Sequence, residues 1–366
     1  MNKIKVGILF GGKSAEHEVS LQSAKNVLEA MDRHQYEITL IGIDKEGCWY
    51  MYDQENFLVH ADSPCQISLQ KGGSRLAVVP GKEGGQLLSV ATGDRYQLDV
   101  VFPVLHGTHG EDGTVQGLLK LLDIPFVGAG VLGSAVGMDK DVMKRLFREA
   151  GIPIGKFLVY CRWQESQISF DSIAEELGLP LFIKPANMGS SVGVSKVRTS
   201  AEFKQALREA FSFDHKVIIE EFIEGREVEC SVLGNEEPQA SAVGEIVAQQ
   251  DFYSYEAKYI DEKGAVLHIP AAIPQEVAEQ IQKLAIQVFQ VLGCEGLGRV
   301  DMFLTGDNRV LVNEINTLPG FTKISMYPKL WEVSGISYSR LIDTLIALAL
   351  ERHQKEKNLK ISYEGK

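Results

Sequence analysis

The residues with the clearest chemical potential lie in two segments near the end of the chain, 299–303 and 313–320. They read Arg-Val-Asp-Met-Phe and Asn-Glu-Ile-Asn-Thr-Leu-Pro-Gly. Both predict strands, and the second ends in a Pro-Gly loop. They place Asp301, Glu314 and Asn316 at or near strand ends. Two carboxylates and a carboxamide are hard oxygen ligands that suit Mg²⁺, which also keeps sites for phosphates and water.

Arg299 shares a strand face with Asp301, because side chains two residues apart point the same way. A cation beside metal ligands indicates chemistry on anions, in which the metal and the guanidinium share a developing negative charge. On these residues alone, a polar strand end with ordinary surface carboxylates stays open as the alternative.

A second segment with chemical potential is Lys184-Pro-Ala-Asn-Met-Gly-Ser-Ser-Val-Gly-Val. An apolar strand delivers Lys184, and a loop of small residues that includes Ser190 leads into a further strand, predicted over 191–197. Glycine and serine amides can approach a phosphate closely, and the lysine adds charge. The segment therefore predicts a flap over phosphates, with a plain hairpin of small turn residues as the alternative.

Residues 7–14 match the phosphate-loop expression G-x-x-x-x-G-K-[ST]. In a phosphate loop the four intervening residues form a turn. Here three of them are Ile, Leu and Phe, which continue a strand. We therefore predict no phosphate loop, and a tight strand exit at Gly11 and Gly12 that carries Glu16 over the top of the sheet.

Three further segments have weaker signals. A strand end with Glu220 and Glu227 has the groups to bind adenine and ribose, although a solvated acidic strand end is the simpler interpretation. His106 follows a buried strand, where a lone histidine is more often structural, but the carboxyl edge of a sheet favours a substrate pocket. The long polar connection with Lys258 and Tyr259 predicts a closing lid, with a mobile surface loop as the alternative.

The elements that must position these residues predict an α/β fold. The first third alternates strands and helices and predicts a parallel βαβ unit with ligands at the carboxyl ends of its strands. The segment 60–97 is rich in Gly, Ser and Lys and predicts irregular or hairpin-like structure. IPFVG at 124–128 predicts a short strand. We divide the chain into three predicted domains, 1–128, 129–223 and 224–366.

The composition is that of an ordinary globular enzyme. The 366 residues are 45% hydrophobic and 23% charged, and this length predicts two or three packed units. The net charge of −12 argues against nucleic acid or an anionic membrane as main partner. Five scattered cysteines predict neither a disulfide frame nor a zinc site. The first ten residues do not predict a signal peptide, so we expect a cytoplasmic protein.

Several motifs in order resemble the D-alanine–D-alanine ligase family of ATP-grasp ligases over nearly the whole chain. They are FGGKSAEHEVS (10–20), HGTHGEDG (106–113), MDKDVMKR (138–145), FIKPANMGSSVGVSKV (182–197), EGREVE (224–229), YSYEAKY (253–259), GLGRVDMF (296–303) and NEINTLPGFTKISMYPKL (313–330). The resemblance implies a three-domain ATP-grasp fold, with a parallel-sheet N-terminal domain and two α+β lobes that sandwich ATP.

The resemblance also implies the reaction. ATP phosphorylates the carboxylate of one D-alanine, and the amine of a second D-alanine attacks the acyl phosphate and expels phosphate. The product would be the dipeptide used for bacterial peptidoglycan precursors. The family implies ATP as a substrate, two Mg²⁺ or Mn²⁺ ions, and a homodimer built on the N-terminal unit.

Each matching residue acquires an implied role from the family. The implied ATP-binding residues are Lys140, Lys184, Glu220, Glu221, Ile223 and Glu227, and the implied metal ligands are Asp301, Glu314 and Asn316. Glu16 would pair with the ammonium of the first D-alanine, near His106. Ser190, Tyr259 and Glu16 would join the lid to the pocket. Arg299 and the Gly320 amide would form the oxyanion hole, Ser325 would bind the second carboxylate, and Lys258 would lie near the phosphates.

Two alternatives remain on sequence grounds. The first is a related ligase with a different acceptor, D-lactate or D-serine. The resemblance argues against D-lactate, because family members that use it lack the lid tyrosine motif found here at Tyr259, whereas D-serine stays open. The second is a nucleotide-binding regulator without chemistry, which predicts a gap among the metal ligands or at Arg299. No such gap occurs.

Overall fold

The computed structural model describes residues 3–63, 66–81, 85–248 and 265–360. The predicted lid residues Lys258 and Tyr259 lie outside these ranges. The described residues form three principal sheets, and each sheet has its own helices.

The first part of the chain builds a seven-stranded mixed sheet. The elements of this part are, in chain order, β1 (Ile4–Gly11), α1 (His17–Ala30), β2 (Tyr36–Ile43), β3 (Trp49–Tyr52), β4 (Leu58–Val59), β5 (Ser68–Leu69), β6 (Ser74–Val78), β7 (Leu87–Ser89), β8 (Arg95–Tyr96), β9 (Val100–Val104) and α2 (Thr114–Leu121), with β4 and β5 forming a separate two-stranded sheet. Two helices follow, α3 (Val131–Met138) and α4 (Lys140–Glu149), and α4 packs through Met143 and Phe147 in the core of the five-stranded sheet described below. The sheet order is β8-β7-β6-β3-β2-β1-β9. β1 pairs in parallel with β2 and β9, which confirms the predicted parallel unit.

The structure refines one sequence prediction for this unit and corrects another. The segment 60–97 adds antiparallel strands β6, β7 and β8 to the sheet through β3, so its hairpin-like character extends the parallel core. Residues 124–128 do not form a strand, because only Phe126 makes an isolated bridge, to Val101.

β1 continues through Ile8, Leu9 and Phe10, which confirms that residues 7–14 are not a phosphate loop.

The second sheet has four antiparallel strands in the order β10-β13-β11-β12. Its elements are β10 (Phe157–Cys161), a short 3₁₀ helix (Arg162–Gln167), α5 (Phe170–Leu177), β11 (Leu181–Pro185), β12 (Ser195–Val197), α6 (Ser200–Phe213) and β13 (Lys216–Glu221). The strand predicted over 191–197 begins only at Ser195, because residues 191–194 lie in the turn of the small-residue loop. One face of the sheet packs on α5 and α6 through a separate apolar cluster that includes Ile183 and Phe203.

The third sheet has five antiparallel strands in the order β16-β15-β14-β17-β18. Its elements are β14 (Gly225–Gly234), β15 (Gln239–Ala248), β16 (Ala265–His268), α7 (Gln275–Val291), β17 (Gly296–Thr305), β18 (Val310–Asn316), α8 (Met326–Val333) and α9 (Tyr338–Lys357). α7 covers one face of this sheet through residues such as Ile281 and Val288.

The last helix, α9, packs against the first sheet. Its apolar residues Leu341, Leu345 and Ala349 belong to the same buried cluster as Phe102 and Val100 of the N-terminal unit. The N-terminal core is therefore closed by the C-terminal end of the chain.

A buried arginine reinforces this contact. Arg352 is 7% exposed and donates hydrogen bonds to the carbonyl oxygens of Gly128 at 2.6 Å and Phe126 at 2.8 Å. Its guanidinium also lies 4.6 Å from the centroid of the Phe126 ring. Arg352 thus satisfies two backbone carbonyls that follow α2.

Across the described ranges, no single helix is long and apolar enough to cross a membrane. Only when taken together do α8 and α9 have the length and apolar composition of a membrane-spanning segment. Their axes are bent by 104° relative to each other.

Candidate active site

A cleft of about 1310 Å³ lies among the three sheets. Most of the residues predicted from the sequence line it. They are Glu16, Lys140, Lys184, Ser190, Glu220, Glu221, Ile223, Glu227, Arg299, Asp301, Glu314, Asn316, Gly320 and Ser325. The structure thus brings together groups from motifs separated by some three hundred residues of sequence.

β17 and β18 aim the predicted metal ligands into the cleft. The two strands pair so that Asp301 faces Glu314 and Arg299 faces Asn316. Cross-strand partners of this kind lie side by side on one face of a sheet. The register shifts after Asp301, so that Met302 pairs with Val312 and Asn313 is the extra residue of a bulge. The two carboxylates are therefore neighbours.

The bulge decides which face of β18 carries these ligands. Val310 and Val312 are buried in the core of the sheet. Without the extra residue, the alternation of side chains would place Glu314 on that same buried face. Asn313 shifts the alternation by one residue, so that Ile315 enters the core and Glu314 and Asn316 face the cleft.

Arg299 is held by two carboxylates. It donates from Nε and Nη2 to the two oxygens of Asp301, both at 2.7 Å. Its Nε also lies 2.9 Å from Oε2 of Glu229, a buried side chain on the adjacent strand β14. The paired hydrogen bonds from Nε and Nη2 to one carboxylate give the guanidinium a defined orientation.

Lys140 lies at the start of α4 and approaches the metal-ligand strands. Its ammonium donates to the carbonyl oxygen of Met188 at 2.8 Å and lies 3.2 Å from Oε2 of Glu314. Asp139 caps this helix by accepting from the backbone amide of Val142 at 3.1 Å. Lys216 of β13 donates to both oxygens of Asp139 at 2.6 and 2.7 Å. The end of the helix that carries Lys140 is therefore fastened to the second sheet.

The donor set suits a hard divalent cation. Asp301, Glu314 and Asn316 present carboxylate and carboxamide oxygens on one face of the β17–β18 pair, which is the chemistry that Mg²⁺ and Mn²⁺ prefer. Oδ1 of Asn316 accepts from the amide of Leu318 at 3.0 Å, which orients the carboxamide and leaves its second lone pair. Among the described residues, no three His, Cys, Asp or Glu side chains form a metal site by themselves, so a metal bound here would need the Asn316 carboxamide as its third donor.

Lys184 lies in a buried cluster of three charged groups. Its ammonium lies 2.5 Å from Oε2 of Glu220, and the ammonium of Lys144 lies 2.8 Å from Oε1 of the same carboxylate. All three residues are at least nine-tenths buried. Burial raises the pKa of Glu220, but the positive charges of Lys144 and Lys184 outweigh it and lower that pKa to about 2.

The two lysines respond differently to the same carboxylate. Burial lowers the pKa of Lys144 below its ordinary value, and the attraction of Glu220 does not fully compensate. Burial also acts to lower the pKa of Lys184, but Glu220 and then Glu314 outweigh burial and raise it. Glu314 attracts both lysines, but Lys184 is also attracted by Glu227, whereas Lys144 is repelled by Lys184.

Glu16 joins the N-terminal unit to the small-residue loop. It is buried just before α1 and accepts a short hydrogen bond from the hydroxyl of Ser190. Ser190 and Ser191 both have positive φ, at 51° and 61°, so this loop holds two non-glycine residues in a strained conformation. Gly107 lies against Glu16, and a Cβ built on it would come within 2.7 Å of Oε2 of Glu16.

His106 lies behind the cleft and contacts the loop that follows β18. One of its ring nitrogens lies 3.1 Å from the hydroxyl oxygen of Ser23, and the other lies 3.1 Å from the carbonyl oxygen of Leu318. Burial lowers its pKa, but Glu111, at 3.8 Å, outweighs burial and raises it. His106 therefore positions the loop between β18 and α8, which also carries Gly320.

Ser325 ends the same loop at the start of α8. Its Oγ lies 2.8 Å from the hydroxyl of Thr322 and accepts from the Thr322 amide at 3.0 Å. A Cβ built on Gly320 would lie only 2.9 Å from the Ser325 oxygen. The glycine thus lets its backbone approach the serine closely.

The strand end at Glu220 leads out of the second sheet at the rim of the cleft. β13 ends at Glu221, whose carboxylate accepts from the amide of Lys156 at 2.7 Å. Residues 222–224 are outside regular structure before β14 begins, and Ile223 and Glu227 face the cleft. Unlike the side chain of Glu221, the side chain of Glu220 lies against the ammonium groups of Lys144 and Lys184.

Sequence reasoning assigned no role to three buried charged residues that line the cleft, Lys144, Glu229 and Glu111. Helical spacing could have indicated Lys144, because it lies four residues after Lys140 and therefore on the same helix face. Strand alternation could have indicated Glu229, which shares a face with Glu227. Glu111 lies within the quoted 106–113 motif, but only its contact with His106 gives it a function.

Comparisons with known proteins agree with this geometry. Residues 5–129 match the family described as D-ala D-ala ligase N-terminus, and residues 146–347 match the family described as D-ala D-ala ligase C-terminus. The chain is 60% identical over 363 residues to the D-alanine–D-alanine ligase of Shouchella clausii (strain KSM-K16), with 99% of each chain covered.

Two solved structures are similar over almost the full chain. The D-alanine–D-alanine ligase from Coxiella burnetii superposes with a TM-score of 0.86 at 39% identity, covering 98% of this chain and 97% of that one. The VanG D-Ala:D-Ser ligase from Enterococcus faecalis superposes with a TM-score of 0.85 at 39% identity, covering 95% and 100%. The predicted multi-domain α/β fold is confirmed, and the chain belongs to the D-alanine–D-alanine ligase family of ATP-grasp enzymes.

Proposed function

We infer that this chain uses ATP to join two D-alanines into D-alanyl-D-alanine for peptidoglycan precursor synthesis, and releases ADP and phosphate. The observation that carries this inference is the single cleft in which buried lysines, a hard-oxygen donor set and Arg299 meet Glu16. Lysines suit the phosphates of a nucleoside triphosphate, and the carboxylate of Glu16 suits an ammonium group. The guanidinium of Arg299 suits a developing oxyanion.

In the first step a carboxylate oxygen of one D-alanine attacks the γ-phosphorus of ATP. The bond to the bridging oxygen breaks, so that ADP leaves and an acyl phosphate forms. Both reactants are anions, so positive charge is the main requirement. We propose that Lys140 and Lys184 bind the phosphates, and that Asp301, Glu314 and Asn316 hold Mg²⁺ or Mn²⁺, which when bound neutralises phosphate charge.

In the second step the neutral amine of the other D-alanine attacks the acyl carbonyl. The tetrahedral intermediate then expels phosphate and loses a proton from nitrogen to give the peptide bond. Arg299, oriented by Asp301 and Glu229, and the amide of Gly320 are proposed to stabilise the oxyanion. Glu16 is proposed to bind the first ammonium, with Ser190 and the lid residue Tyr259 in the same network, and Ser325 to bind the second carboxylate.

The remaining ligand contacts are proposed on the family resemblance. Glu221, Ile223 and Glu227 would form the adenosine pocket at the rim of the cleft, Glu220 would lie beside it, and Lys258 would lie near the phosphates. Exclusion of water by a lid would protect the acyl phosphate from hydrolysis.

We further propose a division into an N-terminal domain at 1–128, a central lobe at 129–223 and a C-terminal lobe at 224–366. The three separate sheets support it. The family supports a cytoplasmic homodimer without nucleic-acid or membrane partners. Light scattering of the purified chain tests the dimer, since a mass near 40.4 kDa would contradict it.

The test of function is phosphate release from Mg·ATP together with the mass of the product. Separate reactions contain D-alanine alone, L-alanine alone, or D-alanine with D-lactate or D-serine. We expect release only with D-alanine, and the D-alanyl-D-alanine mass as the main product. A main product containing D-serine would instead favour the activity named for the Enterococcus faecalis relative. No D-alanine-dependent release would refute the inference.

A pair of aspartate variants links this activity to the cleft. Asp301→Asn replaces a proposed carboxylate ligand with a neutral amide and removes one of the two acceptors of Arg299, so we expect a rate loss of about a hundredfold or more. Asp307→Asn lies in the exposed turn of the same strand pair and should keep the wild-type rate. Equal rates in the two variants would contradict the site.

A further inference from the structure

Lys144 is a buried charged residue of the cleft to which neither the motif at 138–145 nor the reaction steps above assign a role. It is 3% exposed, and its ammonium lies 2.8 Å from Oε1 of Glu220. Its other strong electrostatic neighbours are Lys184 and Glu314. Burying an ammonium group is costly, and its cost is compensated only by a well-placed partner. Lys144 therefore depends on the Glu220 carboxylate.

Glu220 has two cationic partners, whereas a single carboxylate needs only one. Lys184 contacts one oxygen and Lys144 contacts the other. The three groups together carry one net positive charge in a nearly buried space. Such an excess of positive charge suits a site that receives an anion, because the incoming anion then meets one uncompensated cation.

The two lysines are not equivalent in position. Lys184 is the second-last residue of β11, close to the small-residue loop, and it is 9% exposed. Lys144 lies on α4, one helical turn after Lys140, and its ammonium is deeper. Lys184, the more exposed of the two lysines, is therefore better placed to move toward a ligand, whereas Lys144 is placed to remain beside Glu220.

We propose that Lys144 is a positioning residue that keeps the Glu220 carboxylate compensated and in place when a nucleotide phosphate draws Lys184 away from it. Without Lys144, Lys184 would be the sole partner of a buried carboxylate. Phosphate binding would then leave Glu220 without a counter-ion, which strongly disfavours the bound state. The inference rests on the proposed role of Lys184 in phosphate binding.

The test is the affinity for Mg·ADP, measured by isothermal titration calorimetry, with steady-state kinetics in Mg·ATP. Lys144→Met keeps the length of the side chain and removes its charge. We expect the Kd for Mg·ADP and the KM for ATP to rise about tenfold or more, because a buried charge loses its partner in the bound state. The kcat at saturating ATP and the KM for D-alanine should change less than threefold, since the reacting groups are untouched.

Two comparison variants separate this role from a general loss of structure. Lys144→Arg keeps the charge and should restore most of the affinity. Arg145→Met alters the neighbouring residue on α4, which is exposed and pairs with Asp141, and should leave the affinity unchanged. Equal losses in Lys144→Met and Arg145→Met would overturn the proposal.

A double-mutant cycle gives the decisive result, including the case in which Lys144→Met is insoluble. In a Glu220→Gln background the carboxylate no longer needs a counter-ion, so adding Lys144→Met should change the Kd for Mg·ADP by less than twofold. A further large loss in that background would mean that Lys144 acts on the nucleotide directly, and the proposal would be wrong.

Lys184→Met distinguishes failure of the inference from failure of the site. If Lys184→Met weakens Mg·ADP binding and Lys144→Met does not, only the inference fails. If neither variant weakens binding, the proposed phosphate site itself is wrong.

Discussion

Replacing Gly107 by alanine tests whether Glu16 contacts the substrate. Gly107 has φ of +75°, and an added Cβ would lie 2.7 Å from Oε2 of Glu16. An ordinary contact needs about 3.4 Å, so the carboxylate must move by roughly 0.7 Å, and displacements of about 1 Å in a site can cost on the order of a hundredfold in rate. We expect kcat/KM for D-alanine to fall by about ten- to a hundredfold.

The backbone itself contributes a separate and smaller effect. A non-glycine residue in the left-handed region costs about 1–2 kcal/mol, which lowers stability without moving Glu16. Gly12→Ala isolates this strain, because Gly12 has φ of +96° and its added Cβ would meet only a flexible Leu105 methyl, at 3.5 Å. Both variants should lose similar stability, but only Gly107→Ala should lose activity toward D-alanine.

The assay is thermal unfolding of both variants together with D-alanine kinetics at saturating ATP. A third variant, Gly117→Ala, lies in α2 with no atom near its added Cβ and should be slightly stabilised. Unchanged kcat/KM in Gly107→Ala, despite the stability loss, would show that the Glu16 carboxylate is not part of the substrate pocket.

Three other changes test separate parts of the structure. Arg352→Met leaves the Phe126 and Gly128 carbonyls without their donor, so unfolding by urea should show a loss of about 3 kcal/mol. Arg340→Met, exposed on the same helix, should lose under about 0.5 kcal/mol, and equal losses would refute the role of Arg352. Glu220 has a pKa lowered from 4.5 to about 2, so its ionised form stabilises the fold above pH 4.5 and loses that effect as pH falls toward 2. The unfolding free energy of the wild type should therefore fall more steeply in this window than that of Glu220→Gln, and parallel curves would contradict the lowered pKa. Tyr259→Phe should lower kcat with D-alanine and leave the Kd for Mg·ADP unchanged, whereas a near-normal kcat would remove the tyrosine from the proposed lid network.

The sequence predicted the two strands that carry the proposed metal ligands, but it did not predict how those strands pair. Residue type and alternation were enough to place Arg299 and Asp301 on one face, and the strand pair confirms that arrangement. The bulge at Asn313 was not predicted, because an extra residue in a strand has no signature in a single sequence. Without the bulge, simple alternation would have placed Glu314 in the core.

The buried charge cluster shows a second limit. Lys184 was recognised because it stands beside a small-residue loop, whereas Lys144 looks like any lysine on a helix. Its importance comes from Glu220 on a strand some seventy-six residues later, and such a pairing depends on tertiary structure alone. The hairpin-like character of 60–97 was predicted, but its pairing with β3 was not, since short edge strands are determined more by their neighbours than by their own residues.

The packing of α9 on the first sheet has a consequence for synthesis on the ribosome. The N-terminal strands emerge first, but Leu341 and Leu345, which complete their core, are synthesised much later. Roughly 210 residues separate Gly128 from Leu341, so at about 5–20 residues per second the apolar face near Phe102 stays uncovered for on the order of 10 to 40 s. During that interval the nascent chain is a natural client for chaperones, and a stop codon before α9 would leave that face permanently open to aggregation.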